Sequence, residues 1–135
     1  MNSPTWLLRA RLLALLAGGM DTLTGLGLVA APALTLRAMM VPVPGAEALL
    51  YVRFVGTFVA AVGVSYLFAL VRPGGGGLRE VFRFTLAFRA AAGAFTAGAV
   101  LFGALAPAWL VVTATDLALV ALQVGLLRTS PDDGR

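Results

Sequence analysis

Four long apolar stretches divide this 135-residue chain. The predicted spans cover residues 6–31, 46–71, 81–105 and 108–127. A helix needs about 20 apolar residues to cross the roughly 30 Å hydrocarbon core of a bilayer. Only 12% of the residues are charged, whereas a soluble domain has about a quarter of its residues charged. The sequence therefore predicts an all-α fold, an integral membrane four-helix bundle that forms a single domain over residues 1–135.

The arginines indicate how the bundle is oriented. With the N-terminus inside, the inner segments hold Arg9, Arg11, Arg72, Arg79, Arg83, Arg128 and Arg135. The outer segments hold only Arg37, and cytoplasmic loops of membrane proteins are enriched in Arg and Lys. We therefore expect a multi-pass protein of a bacterial inner membrane with both termini in the cytoplasm. The basic residues form no exposed stripe, so the net charge of +4 favours anionic lipid headgroups over nucleic acid as a partner.

The first apolar stretch has a second interpretation, a cleaved secretory signal peptide. Arg9 and Arg11 precede an apolar run, and Ala31-Pro32-Ala33 resembles a cleavage site. The stretch is longer than a signal peptide and contains Asp21 where a signal peptide is apolar. These features favour a membrane span.

The outer segment from Ala33 to Glu47 is the largest connection on its side of the bundle. Its apolar residues favour a position in the membrane interface or a short lid over the bundle mouth. Trp6 and Trp109 fall near predicted helix ends, as the aromatic residues of membrane interfaces do.

The chain contains no cysteine and no histidine. This excludes disulfides, thiol redox chemistry and imidazole proton relays, and it removes the usual ligands of haem and iron–sulfur clusters. No catalytic, cofactor or metal motif is present, so we predict no cofactor and no metal site, and the sequence favours a non-enzymatic protein over an enzyme.

Four ionisable residues fall inside the predicted spans, one in each: Asp21, Arg53, Arg89 and Asp116. A charge at the bilayer centre costs about 2.5–3.5 kcal/mol by insertion measurements. These four are therefore the candidate polar site. Helical spacing places each on a stripe of small and polar residues, which is typical of surfaces that face other helices. The stripe of Asp21 contains Gly18, Thr24 and Gly25, and that of Arg53 contains Gly56, Thr57, Ala60 and Gly63. The stripe of Arg89 contains Gly93, Thr96 and Gly103, and that of Asp116 contains Thr113, Val120 and Gln123.

Two positive and two negative charges suggest two ion pairs. Estimated depths, at about 1.5 Å per residue, place Arg53 and Asp116 together in the outer half. Asp21 lies near mid-depth and Arg89 in the inner half. We therefore predict Arg53–Asp116 and Arg89–Asp21 pairs, with hydrogen bonds added by Tyr66, Ser65 and Gln123. Such pairs either hold the bundle together or line a cavity for a headgroup, a quinone or an ion.

The arrangement resembles the small four-helix bacterial membrane proteins described as DoxX-like. The matching features are the first helix from Arg11 to Pro32, the Arg53-Phe-Val-Gly56 opening of the second, Arg89 in the third and Asp116 in the fourth. Some members of that group are linked to quinone-coupled oxidation. The resemblance implies this fold, although a chain without thiols cannot perform a thiol-based version of that chemistry.

These observations favour a non-enzymatic membrane protein, an accessory or lipid-associated component with a charge-paired core. The expected partners are membrane lipids, other membrane subunits or a second copy of the chain. One alternative is a small transporter that uses Asp21 as its coupling carboxylate, as four-helix exporters use one membrane carboxylate in a dimer. The other is a quinone- or lipid-binding subunit of a membrane oxidoreductase.

Overall fold

The computed structural model describes residues 3–73 and 75–130, and within these ranges helices are the only regular secondary structure. The helices are α1 (Ser3–Ala30), α2 (Pro32–Ala38), α3 (Ala46–Val71), α4 (Gly76–Leu101) and α5 (Leu110–Arg128), with a 3-10 turn (Pro107–Trp109) before α5. All but the short α2 are long and apolar enough to cross a membrane, α5 together with the turn that precedes it. The predicted all-α membrane bundle of four long helices is confirmed.

The third span differs most from its predicted bounds. It begins at Gly76 instead of residue 81, because the end of the glycine run joins the helix and Leu78 is buried against the core. It ends at Leu101 instead of residue 105. Gly103 has a φ of +73°, and the amides of Gly103 and Ala104 donate to the carbonyls of Val100 and Ala99. This is the Schellman arrangement that ends helices, and it removes Gly103 from the face of Arg89.

Two parts of the predicted organisation fall outside the described residues. One is Gly74, within the predicted turn between the second and third spans. The other is the end of the polar tail, residues 131–135, which includes Arg135.

Helices α1 and α3 form the most extensive pair in the bundle. At Gly25 an added Cβ would lie 2.2 Å from the backbone nitrogen of Ala60, and at Gly63 it would lie 2.3 Å from that of Thr22. The two backbones approach closely because neither glycine carries a side chain. The glycines of the stripes predicted on the first two spans therefore face each other, whereas Thr57 of the second stripe is exposed.

Helices α4 and α5 form the second pair, and the four long helices surround a common centre in the order α1, α3, α4, α5. Contacts between the two pairs run from α3 to α4, from α1 to α5 and from α1 to α4. Helices α3 and α5 lie diagonally opposite, and their Cα atoms are nowhere within 8 Å of each other.

Apolar clusters occupy both ends of the bundle. The cluster at the end where α1 begins includes Trp6, Leu78 and Phe82. The cluster at the opposite end includes Leu36 of α2 with Leu28 and Val41. Trp6 lies near the start of α1, as predicted, but it does not face the lipid. Trp6 is buried, and its indole nitrogen donates to the carbonyl of Leu126 at 2.8 Å.

The outer face of the bundle is apolar. Leu16, Leu23 and Phe95 expose 70%, 73% and 71% of their surface. A soluble protein rarely exposes a contiguous apolar surface of this kind. Lipid covers such a surface in a multi-pass membrane protein.

Candidate functional site: one arginine shared by two carboxylates

Arg89 lies about midway along α4 and is 4% exposed. Its Nη2 donates to Oδ2 of Asp21 on α1 at 2.5 Å, and its Nη1 donates to Oδ1 of Asp116 on α5 at 2.9 Å. Its Nε donates to the hydroxyl of Tyr66 on α3 at 3.0 Å. A single guanidinium therefore joins all four long helices.

The pairing of Arg89 with Asp21 is confirmed, and that of Arg53 with Asp116 is wrong. Because α4 begins and ends earlier in the chain than predicted, Arg89 lies near the middle of its helix, where both carboxylates come within reach. Arg53 lies on α3, diagonally opposite the helix that carries Asp116.

Arg53 instead lies on the exposed side of α3. Its Nη1 donates to the carbonyl oxygens of Val29 and Ala30, the latter at 3.4 Å, at the end of α1. The last carbonyls of a helix have no partner within the helix, and a basic side chain commonly satisfies them. Arg53 thus caps α1 and takes no part in the central site.

Toward the end of the bundle where α1 begins, the site continues through Tyr66, Thr85 and Gln123, each of which is 0% exposed. The Thr85 hydroxyl donates to the carbonyl of Val81 at 2.7 Å, so Tyr66 donates its own proton to Thr85 Oγ1 at 2.7 Å. Gln123 Nε2 donates to both hydroxyl oxygens, at 3.1 Å to that of Thr85. The Oε1 atom of Gln123 has no partner among the described residues.

Toward the opposite end of the bundle, the hydroxyls of Thr96 on α4 and Thr113 on α5 lie 2.7 Å apart. Both residues belong to the stripes predicted to face neighbouring helices, and here their hydroxyls bond across the interface. The polar groups therefore form a layer through the middle of the bundle, with apolar clusters on either side of it.

Sequence reasoning missed Thr85 and gave Ser65 a role that it does not have. Thr85 precedes Arg89 by four residues and so lies on the same helical face. That spacing could have identified Thr85 as part of the site. Ser65 donates to the carbonyl of Val62 within its own helix and joins no neighbouring helix.

The central site contains more acid than base. Asp21 and Asp116 contribute two carboxyl groups and Arg89 one guanidinium, because Arg53 lies elsewhere. If both carboxyls are ionised, the site has a net charge of −1. The even balance expected from the sequence does not hold at the centre of the bundle.

Comparison of the chain with protein-family models, with curated proteins and with solved structures returned no match. The DoxX-like resemblance therefore stays a prediction that rests on the short motifs around Arg53, Arg89 and Asp116.

Proposed function

We propose that this chain is a non-enzymatic component of a bacterial inner membrane, an accessory or lipid-associated protein whose central site joins its two helix pairs. One observation carries the proposal. The three nitrogens of the Arg89 guanidinium each bond to a side chain of a different helix, so the strongest polar groups are satisfied by one another. A site built to bind a substrate keeps such groups available for it.

The proposed orientation places both termini in the cytoplasm. The end of the bundle where α1 begins and α5 ends is rich in arginine, in agreement with the bias of cytoplasmic segments. Reporter fusions at Gly76 and Arg135 should be cytoplasmic, and one at Gly45 should be periplasmic. A periplasmic reporter at Arg135 would refute four spans in this orientation.

If the central site serves only to join the helices, removal of one of its carboxylates should not change which small molecules the protein binds. Asp21→Asn keeps the size of the side chain and leaves Arg89 with Asp116. Gently purified wild-type protein and this variant should retain the same non-lipid small molecules, as measured by mass spectrometry. A molecule that the wild type retains and the variant loses would contradict the proposal and favour a ligand-binding subunit.

The acid excess at the central site favours a second candidate, a small transporter in which Asp21 couples to proton movement. Two arginines would have neutralised both acids, but one leaves a carboxyl able to exchange a proton. Proteoliposomes test this candidate. Proton flux above that of empty liposomes, abolished by Asp21→Asn, would support a transporter, and wild-type flux equal to that of empty liposomes would exclude it.

A further inference from the structure

A groove of about 490 Å³ lies on the outside of the bundle where the end of α1 meets the first half of α3. It is lined by Val29, Leu50, Tyr51, Arg53, Phe54 and Thr57. Tyr51 and Phe54 are exposed by 65% and 61%. The groove wall is therefore apolar, and Arg53 lines it with its guanidinium at the edge.

Arg53 has hydrogen-bonding capacity left beside this groove. Only its Nη1 bonds to the carbonyls of Val29 and Ala30. Its Nε and Nη2 have no hydrogen-bond partner, and the guanidinium no carboxylate partner, within the described ranges. A guanidinium presents its donors in a fork that matches phosphate oxygens, so these free donors fit a phosphate group.

The position of Arg53 agrees with a lipid phosphate. Helix α3 has 26 residues and, at about 1.5 Å per residue, exceeds the roughly 30 Å hydrocarbon core. Arg53 then lies only about 6 Å inside the core boundary, within reach of the headgroup layer for a long side chain. An acyl chain attached to that phosphate would run along the apolar wall.

We propose that this groove binds one anionic phospholipid of the outer leaflet, with its phosphate on Arg53 and one acyl chain along Leu50 and Phe54. The inference rests on the proposed membrane location and orientation but not on the role of the central site. The guanidinium then has two functions, since one nitrogen caps α1 and the others hold the lipid.

Native mass spectrometry of the detergent-purified protein, supplied with phosphatidylglycerol or phosphatidylcholine in mixed micelles, tests the proposal. Wild type should retain one phosphatidylglycerol in preference to phosphatidylcholine. Arg53→Gln should lower that retention about tenfold, because a charge-assisted bond is lost. The matched control is Arg37→Gln, which removes the same charge from an exposed arginine outside the groove and should change nothing.

Arg53→Gln also removes the cap of α1, so a second variant keeps the proposal testable. Thr57→Phe fills the groove and leaves Arg53 bonded to α1, and it should lower phosphatidylglycerol retention as well. Unchanged retention in Thr57→Phe, or equal retention in Arg53→Gln and Arg37→Gln, would overturn the proposal. Displacement of the lipid by inorganic phosphate would overturn it too. Release of the protein from membranes without detergent would instead refute the membrane location.

Discussion

Arg89 and Arg53 have the same chemistry but different positions in the bundle. Arg89 is buried between two carboxylates, whereas Arg53 is exposed and bonds to backbone carbonyls. Helical spacing predicted that each charge lies on a stripe of small and polar residues. On α3 the predicted direction was wrong as well as the partner, because Arg53 and Thr57 are exposed whereas Gly56 and Gly63 of the same stripe are buried. Spacing also does not indicate which helix lies opposite.

Removal of the Tyr66 hydroxyl should reveal how much the hydrogen bonds among Tyr66, Thr85 and Gln123 contribute to the stability of the bundle. In Tyr66→Phe, Arg89 Nε and Gln123 Nε2 lose a buried acceptor, and an unsatisfied buried polar group costs about 1–3 kcal/mol. We expect the free energy of unfolding in detergent to fall by that amount. Tyr51→Phe removes the same hydroxyl from a 65% exposed side chain and serves as the control. Equal effects of the two substitutions would show that the Tyr66 hydroxyl bonds do not stabilise the bundle.

At the scale of the helices, backbone approach decides which helices pair. Gly25 and Gly63 lie where α1 and α3 meet, while Gly19 of α1 and Gly98 of α4 have no atom within 4 Å of an added Cβ. The sequence indicated the glycines of the stripes on α1 and α3 correctly, but Arg53 and Thr57 of the α3 stripe are exposed. It did not indicate the start of α4 in the glycine run, because glycine is a poor helix former and was interpreted as a turn.

Two glycines of α1 test this pairing with the same substitution. Gly25→Ala places a Cβ against the backbone of Ala60, which cannot move without separating the helices, so we expect a loss of about 1–3 kcal/mol. The Cβ added by Gly19→Ala has no atom within 4 Å. This substitution should stabilise α1 by roughly 0.5–1 kcal/mol, because alanine favours the helix more than glycine does. Thermal unfolding in detergent would measure both. A Gly25→Ala protein as stable as Gly19→Ala would contradict the close approach of α1 and α3.

At the scale of the whole molecule, apolar length and low charge were sufficient to predict the four-helix membrane bundle. The arrangement of its helices was not predictable from those properties, because every span is apolar on its lipid-facing side. Any order of neighbouring helices would therefore present an apolar surface to lipid. The order α1, α3, α4, α5 brings Asp21 and Asp116 to the same side chain of α4. The central claim is therefore that two carboxylates share one arginine and hold two helix pairs together.

Unfolding of Asp21→Asn, Asp116→Asn and the double variant in detergent tests that claim most directly. Each single substitution leaves Arg89 with one carboxylate and should cost roughly 1 kcal/mol or less. The double variant leaves a buried guanidinium without a counter-charge and should cost about 3–5 kcal/mol, clearly more than the sum of the singles. As a control, Asp116→Asn combined with Arg53→Gln should be additive, because those residues do not touch. A double variant of Asp21 and Asp116 whose loss equals the sum within about 0.5 kcal/mol would contradict the shared arginine.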